Sequence, residues 1–495
     1  MDPISLFWEW SPESLEPPFV EVETGATVNR EELKIRVRNF AGHLSRLGIT
    51  RGTRVVLHLY NSIDAIVAHM ATHYLGGISC FVDALVQPKS LGHYVRATDC
   101  GVILTHSDRR AVDEDALATT RVVSAAEIGG LSTTSAAGNC PPQPYAFAPD
   151  EPAYIYFTSG TTSTPKGVVL SVGNHANFVR ICDRHWQPVE ASSRHLAFVP
   201  FSHGFGTVFL VPLALRTGSQ LFIMRAFHPQ RVIDAVKRYG ITHMYGVPSH
   251  YQQLLRMGPA AEVLKGLQMA FCAAAKLEHG LMLEWERQTG VMLCEGYGLI
   301  ETCCGITWRV GKPSLGTGDM GPCPDRDLIE IGILDENDLL APAGTIGQIA
   351  VRGPSVMKGY LDDPEGTGRV MIDGWFKTGD QGYVSTDNQL FMTGRIKDII
   401  NIAGIKVSPY EVEAVLDEHP AVLQSAVVPT SNPLYGEVVK AFVRLRPGFA
   451  LTERELIRFA SQKLINFQVP KSVEFVEAFP LTNMGKLDRK RLAQA

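Results

Sequence analysis

The chain carries almost no surplus of either charge. Its 46 Lys and Arg stand against 51 Asp and Glu, a net charge of -5 over 495 residues. A molecule without a basic field is not built around nucleic acid. The nine cysteines, at 80, 100, 140, 182, 272, 294, 303, 304 and 323, form no CxxC pair. Neither a zinc site nor a dithiol redox centre is therefore indicated, and scattered thiols fit a reducing, cytoplasmic setting. No uncharged apolar run approaches the ~20 residues of a membrane span. The opening segment, MDPISLFWEWSPESLEPP, lacks the basic start and apolar stretch of a secretory signal. Internal repeats, low-complexity tracts and a GxxxxGK[ST] phosphate loop are also missing.

What is there is an ordinary globular composition, 45% hydrophobic and 20% charged, long enough for several structural units. Residues 30–48 carry apolar positions at helical spacing and end on Gly48. RVVLHL (54–59), a helical 62–76 and SCFVD (79–83) continue as strand, helix and strand. The stretch 130–152, rich in Ser, Thr, Gly and Pro, predicts a connecting loop. Strands are predicted at 195–200, 219–224, 242–247 and 268–273, with a helix at 228–240 closed by Gly240. This is an α/β pattern of βα sheets. Beyond residue 320, short alternating strands with Gly-rich turns predict a β-subdomain. From about residue 399 a small α+β unit follows, with helices at 408–418 and 452–464 and strands at 422–429 and 438–445. The expected division is a domain over 1–394, a hinge at 395–398 and a mobile lid over 399–495.

Hydroxyls, glycines and a lysine crowd together after the apolar strand AYIYF: Thr158, Ser159, Gly160, Thr161, Thr162, Ser163, Thr164, Pro165, Lys166 and Gly167. Glycine lets backbone approach a ligand closely. Consecutive N–H groups and hydroxyls make an anion cradle, and lysine adds the charge that a phosphate attracts.

This segment resembles the phosphate loop of the adenylate-forming superfamily, which contains acyl- and aryl-CoA synthetases, peptide-synthetase adenylation domains and luciferases. Further segments match that family in its order. Gly296-Tyr297-Gly298-Leu299-Ile300-Glu301 is similar to GYGxTE, and Trp375 to Asp380 to WxxTGD. Gly394-Arg395-Ile396-Lys397-Asp398 and Gly404 to Pro409 are similar to the hinge and the loop after it. Asn483-Met484-Gly485-Lys486 is similar to the C-terminal lysine motif. The resemblance implies ATP and Mg²⁺ as cofactors. It puts Thr158, Ser159, Gly160, Thr161, Thr162, Lys166, Ala274, Gly296, Tyr297, Gly298, Asp380, Arg395 and Lys486 around the nucleotide. Tyr297 offers a face to adenine. Glu301 is a hard oxygen ligand suited to Mg²⁺. Asp380 can accept from two ribose hydroxyls. The implied catalytic set is Lys486, His203, Thr158 and Glu301, with Lys486 neutralising charge as a carboxylate attacks the α-phosphorus. Lys397 takes the hinge position. Two departures stand out: Ser163 replaces a usual glycine, and Ile300 replaces the threonine that contacts phosphate.

Adenylation domains for α-amino acids resemble one another in an aspartate that holds the ammonium. The matching stretch here, Pro200 to Gly206, has no carboxylate. His203, Phe205, Tyr245, Gly246, Ala273, Ala275 and Ile300 are the expected lining of an apolar acid pocket, in which an unpaired ammonium would be heavily penalised. The expectation is an aromatic, cyclic or medium-chain acid, activated as an acyl-adenylate. Coenzyme A is the first choice of acceptor. A carrier-protein phosphopantetheine and an amine are the alternatives, and no sequence feature separates the three. A scaffold that binds nucleotide without catalysis is the reading from another class.

Overall fold

Apolar strands that alternate with amphipathic helices cannot bury both faces unless the helices cover the sheet, so they stack as parallel strands. The computed structural model describes residues 18–107, 112, 120–134, 143–158, 166–186, 189–258, 260–481 and 487–494. Seven strands form one sheet, in the order Gly359–Tyr360, Lys166–Ser171, Pro152–Thr158, Ile78–Phe81, Arg54–His58, Val102–Thr105 and Arg121–Ser124. Its last five strands are parallel, and the first two pairings are antiparallel. The second sheet has eight strands, in the order Thr307–Arg309, Leu293–Tyr297, Met269–Cys272, His243–Gly246, Arg194–Ala197, Gln220–Ile223, Phe19–Glu21 and Thr27–Val28. All four predicted mid-chain strands are therefore neighbours in one sheet. Asn61 joins the two sheets. Its amide donates to the carbonyls of Val199 (2.9 Å) and Met224 (3.2 Å) and accepts from the Phe201 N–H (2.7 Å), which fixes the segment leading to His203.

Local signals account for the helix ends. The Asn29 side chain accepts from the Glu32 N–H and starts helix Arg30–Arg46, and Gly240, at φ +60°, stops helix Pro229–Tyr239. The expected loop over 130–152 begins too early, because helix Ala125–Thr133 runs into it. A reciprocal capping box between Ser124 and Glu127 nucleates that helix despite its two glycines.

An antiparallel sheet follows, in the order Asp319–Pro322, Gln389–Arg395, Trp375–Val384, Gly347–Arg352 and Glu330–Leu334, with Met371–Ile372 at one side. The smaller C-terminal domain packs helices Pro409–Asp417 and Glu453–Ser461 on a sheet centred on Gly436–Leu445. The largest hydrophobic cluster runs from Phe19 to Leu390, and the next begins at Ile400. Between them lies the short turn Ile396–Asp398. No helix among the described residues is long and apolar enough to cross a membrane.

Candidate active site

Thr158 ends one strand and Lys166 opens the next, and the two are paired across the ladder. Ser159, Gly160, Thr161, Thr162 and Ser163 lie outside the described residues, as do Lys486 and the side chain of Thr158. Because Lys166–Ser171 also pairs with Gly359–Tyr360, a tyrosine that the sequence did not single out comes beside Lys166. The Lys166 ammonium sits 4.7 Å from the centre of the Tyr360 ring, a cation–π contact. The Tyr360 hydroxyl in turn donates to Glu301 Oε1 at 3.1 Å, and the Glu301 carbonyl accepts from the Met357 N–H. Burial pushes the Glu301 carboxyl up from its ordinary value. A cation would offset that penalty, so the donor suits a divalent ion carried in on phosphates. Among the described residues no group of three or more His, Cys, Asp and Glu could hold a metal unaided.

Tyr297 and Gly296 end strand Leu293–Tyr297. A Cβ at Gly298 would overlap the Cys304 carbonyl, so the close turn after this strand requires glycine. The Tyr297 hydroxyl donates to Asp380 Oδ2 (2.7 Å), and Arg395 Nε lies 3.2 Å from Oδ1. Asp380 and Arg395 face each other in register on adjacent strands. Asp380 is 3% exposed. Burial pushes its carboxyl up, against the opposing pull of Arg395. Each carboxylate oxygen keeps a second lone pair for a ligand hydroxyl. One strand position earlier than Gly296, burial pushes the Glu295 carboxyl up to about 8, while its Oε1 accepts from the Leu277 N–H (3.3 Å).

Beside Tyr297 opens a cavity of about 50 Å³. His203, Phe205, Ala273 and Ala274 line it, together with aromatic walls that the sequence did not mark: Phe178, Trp186, Phe209, Phe271 and Trp308. Helix Val172–His185 presents Phe178, and Trp186 caps its end. Trp186 meets Phe271, Phe209 and Trp308 with ring centres 4.8, 4.9 and 5.4 Å apart. Ala274 holds φ +68°, an uncommon conformation for a residue with a Cβ, and turns the chain at the cavity edge. Four expected lining residues stand elsewhere. Tyr245 is fully buried behind the wall, with its hydroxyl 2.8 Å from His195 Nδ1. Gly246 faces His250 and Tyr251, Ala275 lies outside the lining, and Ile300 is buried in the main core. Tyr245 packs behind Phe205, Phe209 and Phe271 on the cavity side, and strand alternation turns its neighbour Gly246 to the opposite side.

The small domain meets the large one through buried charge. Lys276, directly after the Ala273–Ala275 run, places Nζ 3.1 Å from Glu413 Oε2. Arg489 NH1 lies 2.6 Å from Glu413 Oε1, and Lys276 and Arg489 both lie against the Tyr410 ring. Burial pushes the Glu413 carboxyl up, but Arg489 and Lys276 outweigh it and leave it below its ordinary value. Gln424 donates to Glu278 at 2.7 Å, and Arg444 to Gln252 at 3.0 Å. Lys397 sits in the connecting turn, its ammonium disfavoured by burial and by Arg395.

The model of the AMP-binding enzyme family matches residues 11–361, and that of the AMP-binding enzyme C-terminal domain matches 411–486. A long-chain-fatty-acid–CoA ligase of Bacillus subtilis (strain 168) is 34% identical over 349 residues, 69% of this chain and 61% of the ligase. The 4-coumarate–CoA ligase 2 of Oryza sativa subsp. japonica is 28% identical over 96% of this chain and 89% of its own. ATP-bound MatB from Rhodopseudomonas palustris superposes with a TM-score of 0.90 at 25% identity, over 100% of this chain and 99% of that one. Apo MatB superposes at 0.84. The chain belongs to the AMP-binding enzyme family.

Proposed function

We propose that this chain activates a non-amino carboxylic acid, aromatic, cyclic or medium-chain, with ATP and transfers the acyl group to a thiol, coenzyme A being the first choice. The observation that carries the reading is the convergence of the Lys166–Tyr360–Glu301 chain, the Tyr297–Asp380–Arg395 cluster and an uncharged aromatic cavity on one cleft. In the first half-reaction the acid's carboxylate attacks the α-phosphorus of ATP and pyrophosphate leaves. In the second, the thiolate attacks the acyl carbon and AMP leaves.

Within that scheme, Lys166 holds phosphate charge and Asp380 orients the ribose, itself held by Tyr297 and Arg395. Glu301 is the protein ligand for Mg²⁺, which neutralises phosphate charge when bound. Lys486 supplies positive charge at the attacked phosphorus. Lys397 is the pivot between orientations of the small domain, because one rigid arrangement serves the two half-reactions poorly. The kinship with CoA ligases favours coenzyme A. An amine acceptor is the second reading, supported by a likeness to the amide bond synthetase McbA of Marinactinospora thermotolerans, with a TM-score of 0.86 at 25% identity over 99% of this chain and 98% of that one.

Acid-dependent exchange of pyrophosphate into ATP, measured over a panel of acids with and without coenzyme A, tests the proposal. The expected result is exchange with aromatic, cyclic or medium-chain acids that carry no second charge, and thioester formation once coenzyme A is added. Absence of exchange with every acid would leave the inert scaffold as the better reading.

A further inference from the structure

The donors around the aromatic cavity differ in one respect. The Thr307 hydroxyl donates to the Met320 carbonyl at 2.8 Å, the Trp308 indole N–H to the His185 carbonyl at 2.9 Å, and the Tyr297 hydroxyl to Asp380. The Trp186 indole N–H has no acceptor among the described residues, although the residue is only 8% exposed. Trp186 lines the cavity and is held on three sides by Phe209, Phe271 and Trp308.

A buried N–H without an acceptor is costly, and folded proteins rarely leave one so. Where the residue that carries such a group lines a ligand cavity, an incoming acceptor that reaches the group removes the penalty. No Lys, Arg, Asp or Glu lines this cavity. A second carboxylate on the substrate would be stranded there without a counter-ion. A neutral acceptor has no such difficulty.

We propose that Trp186 is a specificity-determining residue, and that the acid carries a neutral hydrogen-bond acceptor, a carbonyl, ether or hydroxyl oxygen, on its tail where the Trp186 N–H can reach it. The inference rests on the reading that this cavity receives the acid. Plain hydrocarbon acids of the same shape fill the space but leave the donor unmet. Dicarboxylic acids meet it at the expense of a buried charge.

The test is pyrophosphate exchange with matched acids: a hydrocarbon acid and isosteres that bear a methoxy or keto oxygen at successive positions. In the wild type, one acceptor position is expected to raise kcat/KM about three- to tenfold over the hydrocarbon. Trp186→Phe keeps an aromatic ring and deletes the N–H. It should erase that advantage, so that within the variant the acceptor-bearing acid and its hydrocarbon match have equal kcat/KM, whatever the common change in level. Equal loss on all acids, or no loss on any, overturns the proposal. Should Trp186→Phe not fold by thermal melting, the wild-type series decides alone, and absence of any acceptor preference overturns it. Ala273→Trp separates this from the parent reading. If exchange survives with the cavity filled in that way, the acid binds elsewhere and both fall. If exchange is blocked but Trp186→Phe shows no discrimination, only the present inference falls.

Discussion

Lys276→Met tests how the two domains hold together. Lys276 is the large domain's contribution to the Glu413 carboxylate, which is 2% exposed and also bound by Arg489 and the Val427 N–H at 2.8 Å. Removing Lys276 thus leaves the carboxylate satisfied within the small domain, whose own fold should be unaffected. Methionine keeps most of the stem that lies against Tyr410. At 3.1 Å and an effective dielectric near 20, the Coulomb attraction is about 5 kcal/mol, and desolvation of the two ions offsets several of these. A net of about 1.5–3 kcal/mol, the usual range for a charge-assisted hydrogen bond, remains. That amounts to about 10- to 150-fold in the docking equilibrium. Trypsin offers a direct reading, since Lys397 lies in the turn Ile396–Asp398 between the two hydrophobic clusters. When reclosing is fast, cleavage follows the undocked population. Cleavage after Lys397 should accelerate by the same factor, with the large domain's melting temperature unchanged. Cleavage at the wild-type rate would show that this ion pair does not hold the domains together.

Three further perturbations address the chemistry. Lys486→Ala should slow adenylate formation about 10²–10³-fold while transfer from a supplied acyl-adenylate suffers far less; equal loss in both half-reactions would remove its assigned role. Tyr360→Phe keeps the ring against Lys166 but deletes the donor to Glu301, so kcat/KM for MgATP should fall about 5- to 100-fold, and an unchanged Mg²⁺ dependence would refute the link. Glu295 holds its proton in the fold up to about 8, above its ordinary value. Its contribution to stability is therefore complete at low pH and lost as pH climbs towards 8. Melting temperatures of Glu295→Gln should fall less steeply between pH 5 and 8 than those of the wild type, and an identical slope would contradict the assignment.

The parallel strands were legible because burial on both faces writes itself as short continuous apolar runs, as in RVVLHL and QMAFCA. The nucleotide motifs were legible because their residues are neighbours in sequence. Tyr360 was not, for its role arises only when Gly359–Tyr360 pairs with Val168 and Val169, some 190 positions away. Trp186 and Trp308 belong to no motif, and only helix Val172–His185 and strand Thr307–Arg309 bring them to one cavity. Helix Ala125–Thr133 did carry a signal, the Ser124–Glu127 capping box, within a segment whose small residues suggested a loop. Ile300 reads in sequence as a missing phosphate hydroxyl, whereas in the fold its side chain is part of the main core. Ile300→Thr would therefore put a hydroxyl among apolar neighbours, a cost the sequence did not reveal.

The cleft draws its parts from three different sheets: Lys166 and Tyr360 from the seven-stranded one, Phe271 and Trp308 from the eight-stranded one, Asp380 and Arg395 from the antiparallel one. Every aromatic wall of the cavity falls within the single stretch from Phe178 to Trp308, and of the groups proposed for the nucleotide whose side chains are described, Tyr360, Asp380 and Arg395 lie beyond it and Lys166 before it. Tyr297 and Glu301 are the exceptions, inside the stretch yet turned to the nucleotide. On the proposed assignment, the cavity walls can therefore vary within one contiguous stretch while Lys166, Tyr360, Asp380 and Arg395, which lie outside it, stay unchanged.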